Sequence, residues 1–223
     1  MGKINCRGHE NRVNLIKEFE IFPELRMKMM TGIVMSDAGA RISDELYIFS
    51  VYKKSDGTYY DKILCGEHVA KDFLLLTGER RPPIFNILKS SHSAASSKQS
   101  NSSLSNTKNS SVASISPAQK DKIEWHPVNK LLYEAVMIMI LVWQDTNGDS
   151  ILFKELRKCL KYTDKYPFSD RLIRINSIIG KDKRKNLFSI LRDLEKAGNE
   201  IREFDLALLH EAVEKTGVKS NIM

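Results

Sequence analysis

Two Cys-x-x-His pairs are the residues in this 223-residue chain whose types and spacing point most directly to chemistry. Cys6 and His9 form the first pair, and Cys65 and His68 form the second. Thiolate and imidazole are ligands that zinc prefers, and a gap of two residues lets both side chains of a tight turn face one ion. Four protein ligands close the coordination sphere, so the pairs predict a structural Zn²⁺ site and not a catalytic one.

The alternative is that these residues have ordinary roles. Cys65 would then be a buried thiol, and His68 would be a surface residue at the start of a helix. Cys6 and His9 would lie on a frayed terminus. If zinc does bind, the site contributes more free energy than the stability of a typical domain, so metal removal is expected to unfold the amino-terminal part.

The residues around the second pair predict a β-hairpin followed by a helix. In "LYIFSVYKKSDGTYYDKILC", residues 46–65, aromatic and β-branched residues flank a Ser-Asp-Gly turn. The next stretch, "EHVAKDFLLLTGERRPP", has helical spacing that stops at Gly78. This order of knuckle, hairpin, second knuckle and helix resembles the treble-clef group of zinc fingers over about the first 80 residues. The resemblance implies the same four metal ligands, with an additional helix and loop in the 55 residues between the pairs.

A second signal is the concentration of basic residues between positions 154 and 185. This stretch has eleven Lys and Arg residues against four Asp and Glu, although residues 121–223 as a whole carry 18 against 16. Positions 154, 157, 158, 161 and 165 repeat at helical spacing, so one helix face is expected to be basic. Such a face suits phosphates. The predicted nucleic-acid-binding residues are Lys154, Arg157, Lys158, Lys161, Lys165, Arg171, Arg174, Lys183, Arg184 and Lys185. The alternative is a solvated or partner-facing surface that pairs with acidic residues of the same chain.

The carboxy-terminal part of the chain is predicted to be helical throughout. The apolar run "AVMIMILVW", residues 135–143, is too short to span a membrane and predicts a buried helix. Gly180, Gly198 and Gly217 stand where helices are expected to end. The segment "LFSILRDLEKAGNEIREF", a helix before a short polar strand, resembles a winged helix-turn-helix.

A serine-rich stretch divides the chain. Residues 89–120 contain no aromatic residue and no apolar periodicity, so they predict a disordered linker. The expected organisation is a zinc-binding, treble-clef-like module at 1–88, this linker, and a mainly helical domain at 121–223. The fold class is therefore α+β.

Binding is a more plausible function for this sequence than catalysis. No glycine-rich phosphate loop and no nucleophile with an adjacent base is evident, and the hairpin lacks the histidine that treble-clef nucleases require. Three cysteines and a charged amino terminus favour a reducing, cytoplasmic location. We expect a non-enzymatic zinc protein that contacts DNA as a regulatory or accessory factor, with no membrane or small-molecule partner. The alternative is a protein-interaction adaptor with structural zinc.

Overall fold

The α+β fold class is confirmed in its coarse form. The computed structural model describes residues 4–30, 34–89 and 123–223. Within these ranges it has seven helices, a four-stranded sheet and a two-stranded sheet. In chain order the elements are α1 (His9–Glu18), β1 (Phe19–Lys28), β2 (Val34–Met35), β3 (Arg41–Ile42), β4 (Glu45–Lys53), β5 (Tyr59–Cys65), α2 (Glu67–Thr77), β6 (Ile84–Phe85), α3 (Pro127–Trp143), α4 (Ile151–Lys161), α5 (Ser169–Lys181), α6 (Leu187–Lys196) and α7 (Ala207–Glu214).

The predicted hairpin is the centre of the larger sheet. Strands β4 and β5 pair antiparallel, and the sheet order is β5-β4-β1-β6. Asp56 accepts hydrogen bonds from the backbone and the side chain of Thr58, which closes the turn. Gly57 in the same turn has a positive φ of 67°, a conformation that glycine adopts without strain. The Ser-Asp-Gly turn predicted from the sequence therefore connects β4 and β5 in the structure.

Strand β1 is the longest element that the sequence analysis did not predict. It pairs antiparallel with β4 and parallel with β6, so it is an interior strand. Pro23 lies in its middle, where the register with β4 shifts between Pro23 and Leu25. Proline has no N–H for the ladder and is tolerated at such a bulge. The proline disguises the strand in the sequence, and only the pairing with β4 makes it recognisable.

Strand β4 is buried on both faces, and each face belongs to a different core. Tyr47, Phe49 and Val51 pack with residues from α1 and α2. Leu46 and Ile48, which point the other way, pack in a larger core with the helices of residues 123–223. The alternation follows from the two-residue period of a strand. The sheet is therefore the middle layer between two groups of helices.

The segments before and after the serine-rich stretch share the larger core and also hydrogen bond to each other. Leu88 and Ile201 form an antiparallel bridge, and the Lys89 backbone N–H donates to the Glu200 carbonyl at 2.8 Å. The expected polar strand after α6 is reduced to this one bridge. The predicted linker, apart from Lys89, lies outside the described residues.

The helices predicted in the carboxy-terminal part are confirmed, with one difference at Gly180. This glycine does not follow a helix but lies inside the last turn of α5. A Cβ atom there would come within 2.5 Å of the Asn221 side-chain nitrogen, so a larger residue would displace that side chain from its hydrogen bond to the Asn176 carbonyl. Gly198 and Gly217 do follow helices and have positive φ angles. None of the helices in the described ranges has the length and apolar character of a membrane span.

Candidate functional site

The two predicted thiol ligands lie in one buried cluster. Cys6 precedes α1 and Cys65 ends β5, and both are fully buried in the core between the sheet, α1 and α2. Burial raises the pKa of the Cys65 thiol, and the nearby Cys6 and Asp37 raise it further. The fold therefore brings distant cysteines together in surroundings that favour protonated thiols.

The two predicted histidine ligands do not join them. The His9 side chain is 62% exposed, and its Nδ1 lies 3.0 Å from both carboxylate oxygens of Asp72. Arg12 also donates to Asp72 through Nε, and its Nη1 donates to the Cys6 carbonyl oxygen at 2.9 Å. Burial would raise the pKa of Asp72, but the hydrogen bonds from His9 and Arg12 outweigh it and the pKa is lowered. His68, in the first turn of α2, is exposed.

As they stand, the four side chains do not fit a tetrahedral zinc ion. Within the described ranges, no group of three or more His, Cys, Asp or Glu side chains is arranged to hold a metal. Both imidazoles would have to turn inward, and His9 would have to leave Asp72. Zinc binding stays a prediction, and elemental analysis of purified protein tests it, with Cys65→Ser and His68→Ala as comparison variants.

Glu155 organises the predicted basic face of α4. It is fully buried, and its carboxylate accepts hydrogen bonds from Lys158 Nζ at 2.9 Å, Arg171 Nε at 2.9 Å and Arg174 Nη1 at 2.8 Å. Arg171 is itself only 4% exposed and also contacts the Cys159 sulfur. Arg171 is therefore an internal partner of Glu155 and not part of the exposed basic surface. Lys158 and Arg174 remain partly exposed.

Arg157 is also held by an internal carboxylate. Its Nε lies 2.9 Å from both oxygens of Glu24, a residue of β1 that is 3% exposed. Burial would lower the pKa of Arg157, but the hydrogen bond and the charge of Glu24 raise it. This ion pair joins α4 to the sheet, so Arg157 has a structural role.

The other cations of α4, and Lys165 in the loop after it, face solvent. Lys154 and Lys165 make ion pairs with Asp149 and Asp164, and all four of these side chains are more than half exposed. Lys161 is exposed and its ammonium lies 5.4 Å from the ring centre of Tyr162. Exposed pairs contribute little and exchange readily with other ions. These lysines are therefore available to an external anion.

The turn between α5 and α6 contains three of the predicted residues, Lys183, Arg184 and Lys185, and Lys181 at the end of α5 adds a further cation. The sequence at 181–185 is Lys-Asp-Lys-Arg-Lys. Arg184 donates to Asp182 through Nε at 2.7 Å and through Nη2 at 2.8 Å, and Asp182 is buried. Lys181, Lys183 and Lys185 are exposed, and none has an ion-pair partner within the residues that the structure describes. The charge of Arg184 is therefore neutralised by Asp182, whereas the charges of the three neighbouring lysines are not neutralised by an ion pair in the described residues.

No protein-family model, curated protein or solved structure matches the chain.

The sequence pattern wrongly predicted that Trp143, at the end of α3, is buried. The apolar run that ends at Trp143 predicts a buried helix, and residues 135–140 are indeed buried. Trp143 is 41% exposed and its indole Nε1 donates to Asp182 Oδ2 at 2.8 Å. The signal was its position at the polar end of an apolar run, directly before Gln144. The indole therefore lies beside the cations of the α5–α6 turn.

Proposed function

We propose that this protein binds nucleic acid, with DNA as the expected target, through exposed lysines of α4 and of the α5–α6 turn. We use the name α4 lysines for Lys154, Lys158 and Lys161 of α4 together with Lys165 of the loop that follows it. We use the name turn lysines for Lys183 and Lys185 together with Lys181, the last residue of α5. Each phosphate that a lysine neutralises releases condensed counterions, and this release is the main driving force of nonspecific DNA binding.

The observation that carries this proposal is the state of the turn lysines. All three are exposed, and the single acidic residue among them, Asp182, is buried and bonded to Arg184 and Trp143. A solvated basic face that pairs with acidic residues of the same chain would leave no such excess. Clustered cations that no acidic side chain neutralises give the surface a positive potential, and such a potential attracts an anionic partner.

The α4 lysines and their neighbourhood support the same function. Glu155 and Glu24 are buried, and the exposed ion pairs of Lys154 with Asp149 and of Lys165 with Asp164 are of the weak, solvent-screened kind. In the loop after α4, Tyr162, Tyr166 and Phe168 are 44%, 49% and 76% exposed. Exposed aromatic rings next to lysines are typical of surfaces on which nucleobases stack.

Salt dependence of binding tests the proposal. A labelled DNA duplex is titrated with protein by fluorescence anisotropy at several salt concentrations. Lys183→Gln with Lys185→Gln removes two phosphate contacts, so the slope of log K against log salt is expected to fall in magnitude by about 1.8. Lys17→Gln with Lys215→Gln is the matched control, because it removes the same charge from exposed positions elsewhere. Equal effects of the two double variants would contradict binding through the turn.

The α4 lysines have their own variant. Lys158→Glu with Lys161→Glu is expected to weaken retention of the protein on immobilised DNA. Unchanged retention would exclude α4 from the interface.

The second candidate is the adaptor function, with a protein partner bound by the amino-terminal segment. The observation that favours it is Leu75 of α2, a large apolar side chain that is 83% exposed. An interface of this kind should respond little to salt. Absence of DNA binding at low salt would therefore leave the adaptor as the preferred function.

A further inference from the structure

A cleft lies where α3 ends beside the α5–α6 turn. Its volume is about 650 Å³, within the range of pockets that bind small organic groups. Met30, Leu141 and Leu194 contribute apolar surface, and Trp143, Lys181 and Lys183 contribute an aromatic ring and two cations. The lining therefore combines apolar side chains, an aromatic ring and positive charge.

Trp143 is held in a defined position in this cleft. Its Nε1 donates to Asp182 at 2.8 Å, and Asp182 also accepts from the Arg184 backbone N–H at 3.0 Å and from the guanidinium of Arg184. Asp182 is buried, so the carboxylate that orients the indole is itself fixed by several hydrogen bonds. An aromatic side chain positioned in advance loses little conformational entropy when a ligand stacks on it.

We propose that this cleft binds one unpaired nucleobase of a single-stranded nucleic acid, stacked on Trp143, while the turn lysines neutralise the adjacent phosphates. This inference rests on the proposed nucleic-acid binding and specifies the form of the nucleic acid. A planar base suits the indole and the apolar side chains of the lining, and every base has a face that can stack. A base inside a duplex is covered on both faces, so it cannot enter without being unstacked.

The distribution of charge favours a strand over a free nucleotide. Lys181 and Lys183 line the cleft, whereas Lys185 carries the positive charge beyond it. One nucleotide would use the lysines at the rim and leave Lys185 without a role. A strand that continues past the cleft places a further phosphate near Lys185.

Tryptophan fluorescence tests the proposal directly, because the chain has only two tryptophans. In the full-length Trp125→Phe variant, Trp143 is the sole tryptophan. A twelve-residue oligothymidylate is expected to quench its emission, and a duplex of equal length is not. Thymidine monophosphate at the same nucleotide concentration is expected to quench far less.

A change of affinity gives the second measurement. Trp143→Leu is expected to weaken oligothymidylate binding by about 5- to 150-fold, the range for loss of one base–aromatic stack, with duplex affinity changed by less than about twofold. Trp143→Phe retains an aromatic face but loses the hydrogen bond to Asp182, so its single-strand affinity should lie between those of the wild type and of Trp143→Leu. The fold of each variant is verified by circular dichroism. If Trp143→Leu does not fold, Trp143→Phe and the quenching experiment still decide the matter.

The outcomes separate the two proposals. If the wild-type protein binds neither form of DNA, the proposed function fails and this inference fails with it. If it binds both forms equally and Trp143 is not quenched, nucleic-acid binding stands and the base-binding cleft is wrong. If the mononucleotide quenches as strongly as the oligonucleotide, the cleft is a free-nucleotide site and the inference is overturned.

Discussion

Replacing Glu155 with glutamine tests whether this buried carboxylate stabilises the helical layer through its cations. Three cations contact it, but they differ in their access to water. Lys158 and Arg174 have side chains that are 42% and 38% exposed, so both can be solvated when Glu155 is neutralised. Arg171, with a side chain that is 5% exposed, cannot. Glu155→Gln therefore leaves one buried guanidinium without a counter-charge.

The magnitude follows from that remaining charge. Removing one partner of a buried ion pair costs about 3 to 5 kcal/mol, because the other charge stays desolvated. For a chain of this length, such a loss corresponds to a fall in melting temperature of about 6 to 20 °C. Asp170→Asn is the matched control, because Asp170 is 63% exposed and lies 3.5 Å from Arg174. Its effect should stay within about 1 kcal/mol.

The assay is urea denaturation followed by circular dichroism at pH 7. If the cost comes from the unpaired guanidinium of Arg171, adding Arg171→Met to Glu155→Gln should recover part of the loss, because the double variant no longer buries an unpaired charge. A free energy of unfolding for Glu155→Gln no lower than that of Asp170→Asn would refute the reasoning. So would a double variant that is less stable than Glu155→Gln alone.

Three further measurements probe other parts of the fold. Gly148→Ala should lower the free energy of unfolding, measured by urea denaturation, by about 1 to 3 kcal/mol, because a Cβ atom there would collide with the Ser50 hydroxyl. In a Ser50→Gly background, the same substitution should cost less than it does in the wild type. The Arg184 hydrogen bond holds the pKa of Asp182 well below its usual range, with help from Trp143. That stabilisation is present above the unfolded pKa of about 3.9 and is lost as pH falls, so Asp182→Asn should lose less stability than the wild type between pH 7 and pH 3. Burial raises the pKa of Cys159 to about 11, so Ellman's reagent should label it at pH 8 only in denaturant, and labelling of the native thiol would contradict its burial.

Local signals in the sequence were sufficient for several elements. The hairpin of β4 and β5 is encoded by alternating apolar residues around a Ser-Asp-Gly turn, and α2 ends at Gly78, which adopts the left-handed conformation. The helices of residues 123–223 follow from apolar periodicity. These features depend on residues close together in the chain, so they can be read without knowledge of the fold.

Strand β1 could not be predicted in this way. Its sequence contains Pro23 and several charged residues, which argue against an interior strand. Its stability comes from pairing with β4 and from burial against α4, whose residues are far away in the chain. One of the charges, Glu24, is acceptable inside because Arg157 neutralises it from a position 133 residues later. The ten-residue sequence of β1 does not indicate that this partner exists.

The candidate sites, like the fold, could be predicted only in part from the sequence. The sequence alone determined which residue types are available: two Cys-x-x-His pairs and a basic stretch with a helical period. Only the tertiary structure decided that the cysteines are buried while His9 hydrogen bonds to Asp72. It also decided that Arg171 forms an ion pair with Glu155, and that Trp143 lies beside the turn lysines. Helical spacing determines the face on which a charge lies. Whether the charged side chain contacts water, a ligand or a buried carboxylate depends on which other segments pack against that face. The packing of distant segments is a property of the folded chain.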